Sequence, residues 1–169
     1  MDDDAFDRLM AVADPPLVVV TTAAEGVRAG CLVGFHSQSS IGPERYCVWL
    51  SKANHTYRVG LRATHFAMHF LPDDRLDLAE RFGTVSGEDK DKFVGIEVVS
   101  GDHGVPLIVG CPHRLLLECI TVLDTRGDHV CLDMRVLRAD HTGEFAPLRV
   151  SQAGSLEPGH ASEERTIRP

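Results

Sequence analysis

Residues 34–57 read "GFHSQSSIGPERYCVWLSKANHTY", and how they are read decides the fold. The run "RYCVWLS" (45–51) is short, apolar and rich in strand-favouring residues, so it is expected to be a strand. It breaks off into Ser51, Lys52, Ala53, Asn54, His55 and Thr56, with Asn54 placed to cap a helix over 54–64. A strand end running into a helix start leaves free backbone N–H groups. Together with Ser51, Thr56 and the Lys52 ammonium these make a candidate anion site, with phosphate the obvious anion. A plain helix cap beside a solvated lysine accounts for the same residues. Upstream, Gly34, Phe35, His36, Ser37, Gln38, Ser39 and Ser40 combine a permissive backbone with small polar groups. Glycine lets a flat ligand approach closely, and Ser37 and Gln38 can bond a heterocycle edge. The alternative is a hairpin strand running into a serine-rich loop.

Outward from this stretch, the sequence alternates short strands with turn signals. "DAFDRLMAVA" (4–13) has helical apolar spacing and stops at Asp14-Pro15-Pro16. "LVVVTT" (17–22) is a dense β-branched run, expected as a buried strand, and Glu25-Gly26 turns it into "VRAGCLVGF" to make a hairpin. "HFAMHFL" (65–71) reads as a strand. "PDDRLDLAERFG" (72–83) is the clearest helix, with Leu76, Leu78, Ala79 and Phe82 on one face and Gly83 as its expected stop. "TVSGEDKDK" (84–92) is a polar loop. Residues 107–140 read as a strand, a break at Gly110-Cys111-Pro112, and two long strands joined by residues 124–128. Many short strands with few helices predict a mainly β fold, an antiparallel Greek-key barrel with helices outside. The body is expected to span 1–150, with 151–169 a polar tail either disordered or laid over a partner.

Composition narrows the function. The chain has 169 residues, enough for one domain with a real core, and a formal net charge of −8. That balance opposes nucleic-acid binding and attraction to an anionic membrane surface. Met1-Asp2-Asp3-Asp4 does not begin a signal peptide, no apolar run is long enough to span a bilayer, and the five cysteines are odd in number and sit mostly in apolar runs. A cytoplasmic protein with reduced thiols is the expectation. No Cys-x-x-Cys or His-Glu-x-x-His pattern is present, so no metal site is expected despite nine histidines. Nucleophilic catalysis by Cys47 or Cys111 has no helper at a defined spacing.

Taken in order, the segments resemble the flavin reductase-like proteins with an FMN-binding split barrel. Residues 29–43, "AGCLVGFHSQSSIGP", stand where that family has "AGxTxSSFxSVSxDPP", and "YCVWLSKANHT" (46–56) stands where it has an apolar strand followed by "SxxSxT". "FAMHFL" (66–71) is similar to "FAVNVL". "LAERFG" followed by Asp91-Lys92-Phe93 is similar to "LAxRFA…DKF", and "RGDHVCLDMRV" (126–136) to "GDHxxxxGxV". The resemblance runs over roughly residues 10–140, with departures at Val33-Gly34-Phe35-His36, at Gly42-Pro43-Glu44, at His69 for the asparagine and near Asp133 for the later glycine.

The resemblance implies a split β-barrel binding FMN or FAD at a homodimer interface, reducing it with NADH or NADPH and passing reduced flavin to a partner monooxygenase. By position, Gly34, Phe35, His36, Ser37 and Gln38 would line the isoalloxazine, while Ser51, Lys52, Asn54 and Thr56 would hold the phosphate. Arg81 and Phe82 would lie beside the cofactor, and His129 would face the nicotinamide or the reacting flavin edge as the catalytic candidate. Two other classes share the architecture: a non-catalytic flavin or tetrapyrrole carrier, which would consume no NADH, and a deazaflavin-dependent reductase, which would need a more basic groove than Lys52, Arg58 and Arg62 provide.

Overall fold

The computed structural model describes residues 4–154, 156, 157 and 159. After a first helix, α1 (Ala5–Ala13), comes the expected hairpin of β1 (Val18–Ala24) and β2 (Val27–Val33). Its turn places both Glu25 (φ 52) and Gly26 (φ 80) in the left-handed region that a tight two-residue hairpin requires. Next come β3 (His36–Ser40), β4 (Arg45–Ser51), α2 (His55–Gly60), β5 (His65–Phe70) and α3 (Leu76–Thr84). The short strands β6 (Val98–Ser100) and β7 (Pro106–Ile108) pair with each other, and the long hairpin β8 (Arg114–Asp124) and β9 (His129–Asp140) completes the set.

The main sheet is antiparallel throughout, in the order β2-β1-β5-β8-β9-β4-β3. In a flat sheet β2 and β4 would lie far apart. Here Val20, Cys31, Leu50, Phe66, Leu117 and Leu132, drawn from β1, β2, β4, β5, β8 and β9, meet in one buried cluster. The sheet therefore curls round a common core, as a mainly β split barrel should. It does not close, because β2 and β4 are not paired as strands. Just beyond the end of β2, one bond crosses to β4, from Trp49 N–H to the Phe35 carbonyl at 2.9 Å.

The β-branched run of β1 is buried on both faces. Val18 and Val20 point into the barrel, while Val19 joins a second core against Leu78, Ala79 and Phe82 of α3. Gly83 lies inside α3 rather than ending it, and the helix runs on to Thr84. A Cβ at Gly83 would come within 2.8 Å of Leu32 Cδ2, so the glycine serves close helix-on-strand packing. β3 is a strand where the sequence suggested a polar loop. It is an edge strand, largely exposed, and takes its conformation from pairing with β4 rather than from any apolar alternation of its own.

His69 sits at the crossing of the two cores, fully buried. Its Nδ1–H donates to the Val19 carbonyl and its Nε2 accepts the Ile108 N–H, each at 3.2 Å, so one ring ties β5 to β1 and β7. Burial lowers its pKa to about 4.

The boundary expected at residue 150 falls at the start of a 3-10 helix, Val150–Ala153. Ala153 is buried, Leu156 packs on the α3 core, and Ser151 donates to Asp14 through both its N–H and its hydroxyl, each at 2.7 Å. These residues lie over their own chain. The tail beyond 159 is outside the described residues. By contrast, no residue of α1 is buried: Phe6 is 70% and Val12 82% exposed. Among the described residues no helix is long and apolar enough to cross a membrane, and no group of three or more His, Cys, Asp or Glu side chains gathers to hold a metal.

Candidate functional site

The unpaired seam between β2 and β4 opens into a cleft of about 730 Å3. One side is the strand from Cys31 to Gly34 with Phe35, the other is Trp49, Leu50 and Ser51, and the end of α3 with Val85, Ser86 and Leu156 covers it. Strand extension separates its two ends. Gly30, whose carbonyl is held by Lys92, lies four residues from Gly34, which is ~13 Å along an extended chain. At the Gly34 end, Phe35 is 61% exposed and meets the His129 ring edge-to-face at 5.1 Å. A Cβ at Gly34 would find only ordinary contacts, 3.7 Å from Leu17 and from Val150, so packing within the chain does not demand glycine there. Its bare backbone leaves room for something else in the cleft.

Strand register brings the two distant motifs together. Ser51, at the end of β4, lies directly opposite His129, at the start of β9. The His129 Nδ1 is 2.8 Å from the Asp128 carboxylate, which leaves Nε2 for a ligand. The imidazole in turn holds the Asp128 carboxyl below its usual range. Asn54 caps α2 as expected, its side-chain oxygen accepting the Thr56 N–H at 2.9 Å.

Of the residues singled out from the sequence, Gly34, Phe35, Ser51, Asn54, Phe82 and His129 line the cleft. The others are placed differently, each for a visible reason. The chain leaves the seam after Phe35 to form β3, so His36, Ser37 and Gln38 do not face it. The His36 Nε2–H donates to the Pro16 carbonyl at 2.7 Å while its Nδ1 accepts from the Tyr46 hydroxyl at 2.9 Å, and burial lowers its pKa. Ser37 and Gln38 bond carbonyls of their own strand. The Lys52 ammonium pairs with Asp124 at 2.8 Å and its N–H with the Asp128 carbonyl at 2.9 Å, so it pins the β8–β9 turn. Thr56 is buried, its hydroxyl turned toward Cys31. Arg81 donates to the Val94 carbonyl at 2.5 Å and to the Lys92 carbonyl at 3.3 Å, bracing the segment that carries Lys92.

Two residues at the inner end of the cleft have no role in the sequence reading: His55 and Lys92. Burial and the nearby Arg58, Lys92 and Arg62 charges lower the pKa of His55. Lys92 is 6% exposed and donates to the Gly30 carbonyl at 3.1 Å and the Phe82 carbonyl at 2.9 Å. Its only sequence signal was the Asp91-Lys92-Phe93 match. Within that triplet, Asp91 bonds the Phe93 N–H at 3.0 Å and pairs with Arg28 at 2.6 Å.

A split barrel with a ligand-sized cleft at its seam is the architecture of a flavin-binding class, and the chain belongs to the flavin reductase like domain family, whose model matches residues 10–154. The chain is 32% identical over 124 residues to the FMN reductase (NADH) SmoA of Agrobacterium fabrum, covering 73% of this chain and 68% of that one. It is 27% identical over 161 residues to the reductase component of the flavin-dependent trigonelline monooxygenase of Acinetobacter baylyi, covering 94% of this chain but only 49% of that longer protein. Among solved structures, the NADH:FAD oxidoreductase of Streptomyces globisporus superposes with a TM-score of 0.77 at 19% identity, covering 90% of this chain and 92% of that one, a likeness of fold.

Proposed function

We propose that this chain is an NAD(P)H:flavin oxidoreductase that uses FMN or FAD. The observation that carries the proposal is the seam cleft. Its volume lies within the range of small-molecule sites, and it is walled by apolar and aromatic groups with a few polar groups among them, which fits a flat ring carrying a polar tail. When bound, the flavin supplies the redox chemistry, taking up a hydride from the reduced nicotinamide.

The protein's share is binding, orientation and electrostatics. The Gly34 backbone and the Phe35 ring define where a planar group can lie. His129, steadied by Asp128, offers Nε2 beside that place, where it can hold a proton or donate to developing negative charge. Phe82, Val85 and Leu156 present apolar surface to the cleft. Fixing two rings at reacting distance is worth roughly 7–11 kcal/mol when the geometry is ideal.

The reading extends to partners. The exposed apolar stripe of α1, with Phe6 and Val12, and the 87% exposed Ile41 support a homodimer that covers them. The name of the Acinetobacter relative supports a flavin-dependent monooxygenase as the recipient of reduced flavin. The five free cysteines support a reducing, cytoplasmic setting.

The test is anaerobic. Protein mixed with FMN or FAD should bleach the visible flavin band when NADH or NADPH is added, and a band that persists, as with a carrier, would refute the proposal. Ser51→Ala should weaken flavin binding about 5- to 10-fold by titration while lowering the melting temperature only slightly, since the Ser51 hydroxyl also accepts the Ala53 N–H at 3.3 Å. Thr56→Ala, which empties a buried position, should instead lower the melting temperature.

A further inference from the structure

Lys52 stands one residue past the end of β4 and touches both legs of the turn that joins β8 to β9. Its N–H donates to the Asp128 carbonyl at 2.9 Å, which carries the β4–β9 ladder one step beyond the Ser51–His129 pair. Its ammonium crosses the turn to the Asp124 carboxylate at 2.8 Å. Asp124 also accepts the Arg126 N–H at 2.8 Å, so one carboxylate joins the turn's own backbone to the lysine. Arg126 has φ 67, a left-handed conformation that a residue with a Cβ adopts at a cost and that its surroundings must impose.

This ion pair contributes little to stability, because the Asp124 side chain is 56% exposed and exposed pairs hold a fold weakly. What it fixes is geometry. The held leg of the turn ends in Asp128, whose carboxylate meets His129 Nδ1 at 2.8 Å, and the His129 ring reaches the seam beside Phe35. The bond from His129 holds the Asp128 carboxyl below its usual range, and the Lys52 charge adds to this. Misplacing a reacting group by about 1 Å can cost ~100-fold in rate, so a contact too weak to matter for folding can still matter for turnover.

We propose that Lys52 is a positioning residue for hydride transfer. By bridging Asp124 and the Asp128 carbonyl it sets the β8–β9 turn so that Asp128 aims His129 at the flavin. This rests on the flavin reading above. The sequence suggested Lys52 as a phosphate ligand, whereas the fold commits its charge to Asp124, on the His129 side of the seam. Removing the ammonium therefore costs rate and not affinity, the reverse of what losing a phosphate ligand would do.

Four variants separate the two roles: Lys52→Met, Lys52→Arg, Asp124→Asn, and Lys52→Met combined with Asp124→Asn. FMN is titrated into each, and the flavin-loaded proteins are mixed with NADH or NADPH in anaerobic single turnovers. Lys52→Met and Asp124→Asn should each slow flavin reduction about 5- to 20-fold, with the FMN dissociation constant changed less than about twofold. The double variant should be no slower than the slower single one, because both changes remove the same contact. Lys52→Arg keeps the charge and the reach to Asp124 and should stay within about twofold of wild type, a rescue that a merely structural role would not require. A wild-type rate in Lys52→Met, or a raised FMN dissociation constant with an unchanged rate, overturns the assignment. Amide exchange gives a readout without flavin. Residues 125–129 should exchange about 10-fold faster in Lys52→Met and as in wild type in Lys52→Arg, and unaltered exchange in Lys52→Met overturns the hold on the turn. Wild type that leaves flavin oxidised takes the flavin reading down together with this one, whereas wild type that bleaches flavin while Lys52→Met matches it removes Lys52 alone.

Discussion

A His69→Leu variant is expected to lose about 3 kcal/mol of stability while keeping the same fold. The size of the loss follows from the two backbone groups that meet the ring. Leucine resembles the imidazole in bulk but leaves the Val19 carbonyl and the Ile108 N–H without their side-chain partner in a fully buried place. The variant should also change the response to acid. Burial lowers the His69 pKa from its ordinary 6.5 to about 4, so between those values the unfolded chain binds a proton that the folded chain refuses. The contribution of the neutral ring is therefore complete above pH 6.5 and is lost as the pH falls toward 4, by roughly 3 kcal/mol. His36, also depressed by burial, adds a slope of the same sign that the variant keeps. Denaturant melts of wild type and variant at a series of pH values check both points. Equal stability at neutral pH, or parallel acid profiles, would remove His69 from this role.

The second large effect is on rate. His129→Ala should slow NADH-driven flavin reduction about 100-fold with flavin affinity nearly unchanged. The imidazole lines the Phe35 end of the seam, fixed by Asp128 and set opposite Ser51 across two strands. A group so placed would act on charge that develops during the reaction, while apolar walls would hold the flavin ring. Single-turnover mixing of NADH with flavin-loaded protein under anaerobic conditions reads the step directly. A rate equal to that of wild type would leave His129 a turn-end histidine bonded to its neighbour.

Much of this was legible in the sequence because it depends on local chemistry. The unbroken β-branched run of β1, the Glu25-Gly26 turn, the amphipathic face of α3 and the Asn54 cap each follow from a few adjacent residues. The order of motifs carried the family. What escaped depends on partners far away in the chain. β3 has no strand pattern of its own and exists because β4 lies beside it. Lys52 looks like an anion ligand until the β8–β9 turn brings Asp124 to it. Gly83 looks like a helix stop until Leu32 is placed beneath it. Lys92 sits in a loop so polar that nothing local marks it as buried, and only the packing of α3 on β2 makes it so.

Flavin should occupy the open seam between β2 and β4, and backbone hydrogen exchange with and without FMN tests this most directly. Slowed exchange should appear at residues 31–35, 49–55 and 82–92, with little change on the far strands β5 and β8. Slowing confined to other segments, or none at all under conditions where FMN is bound, would contradict the account.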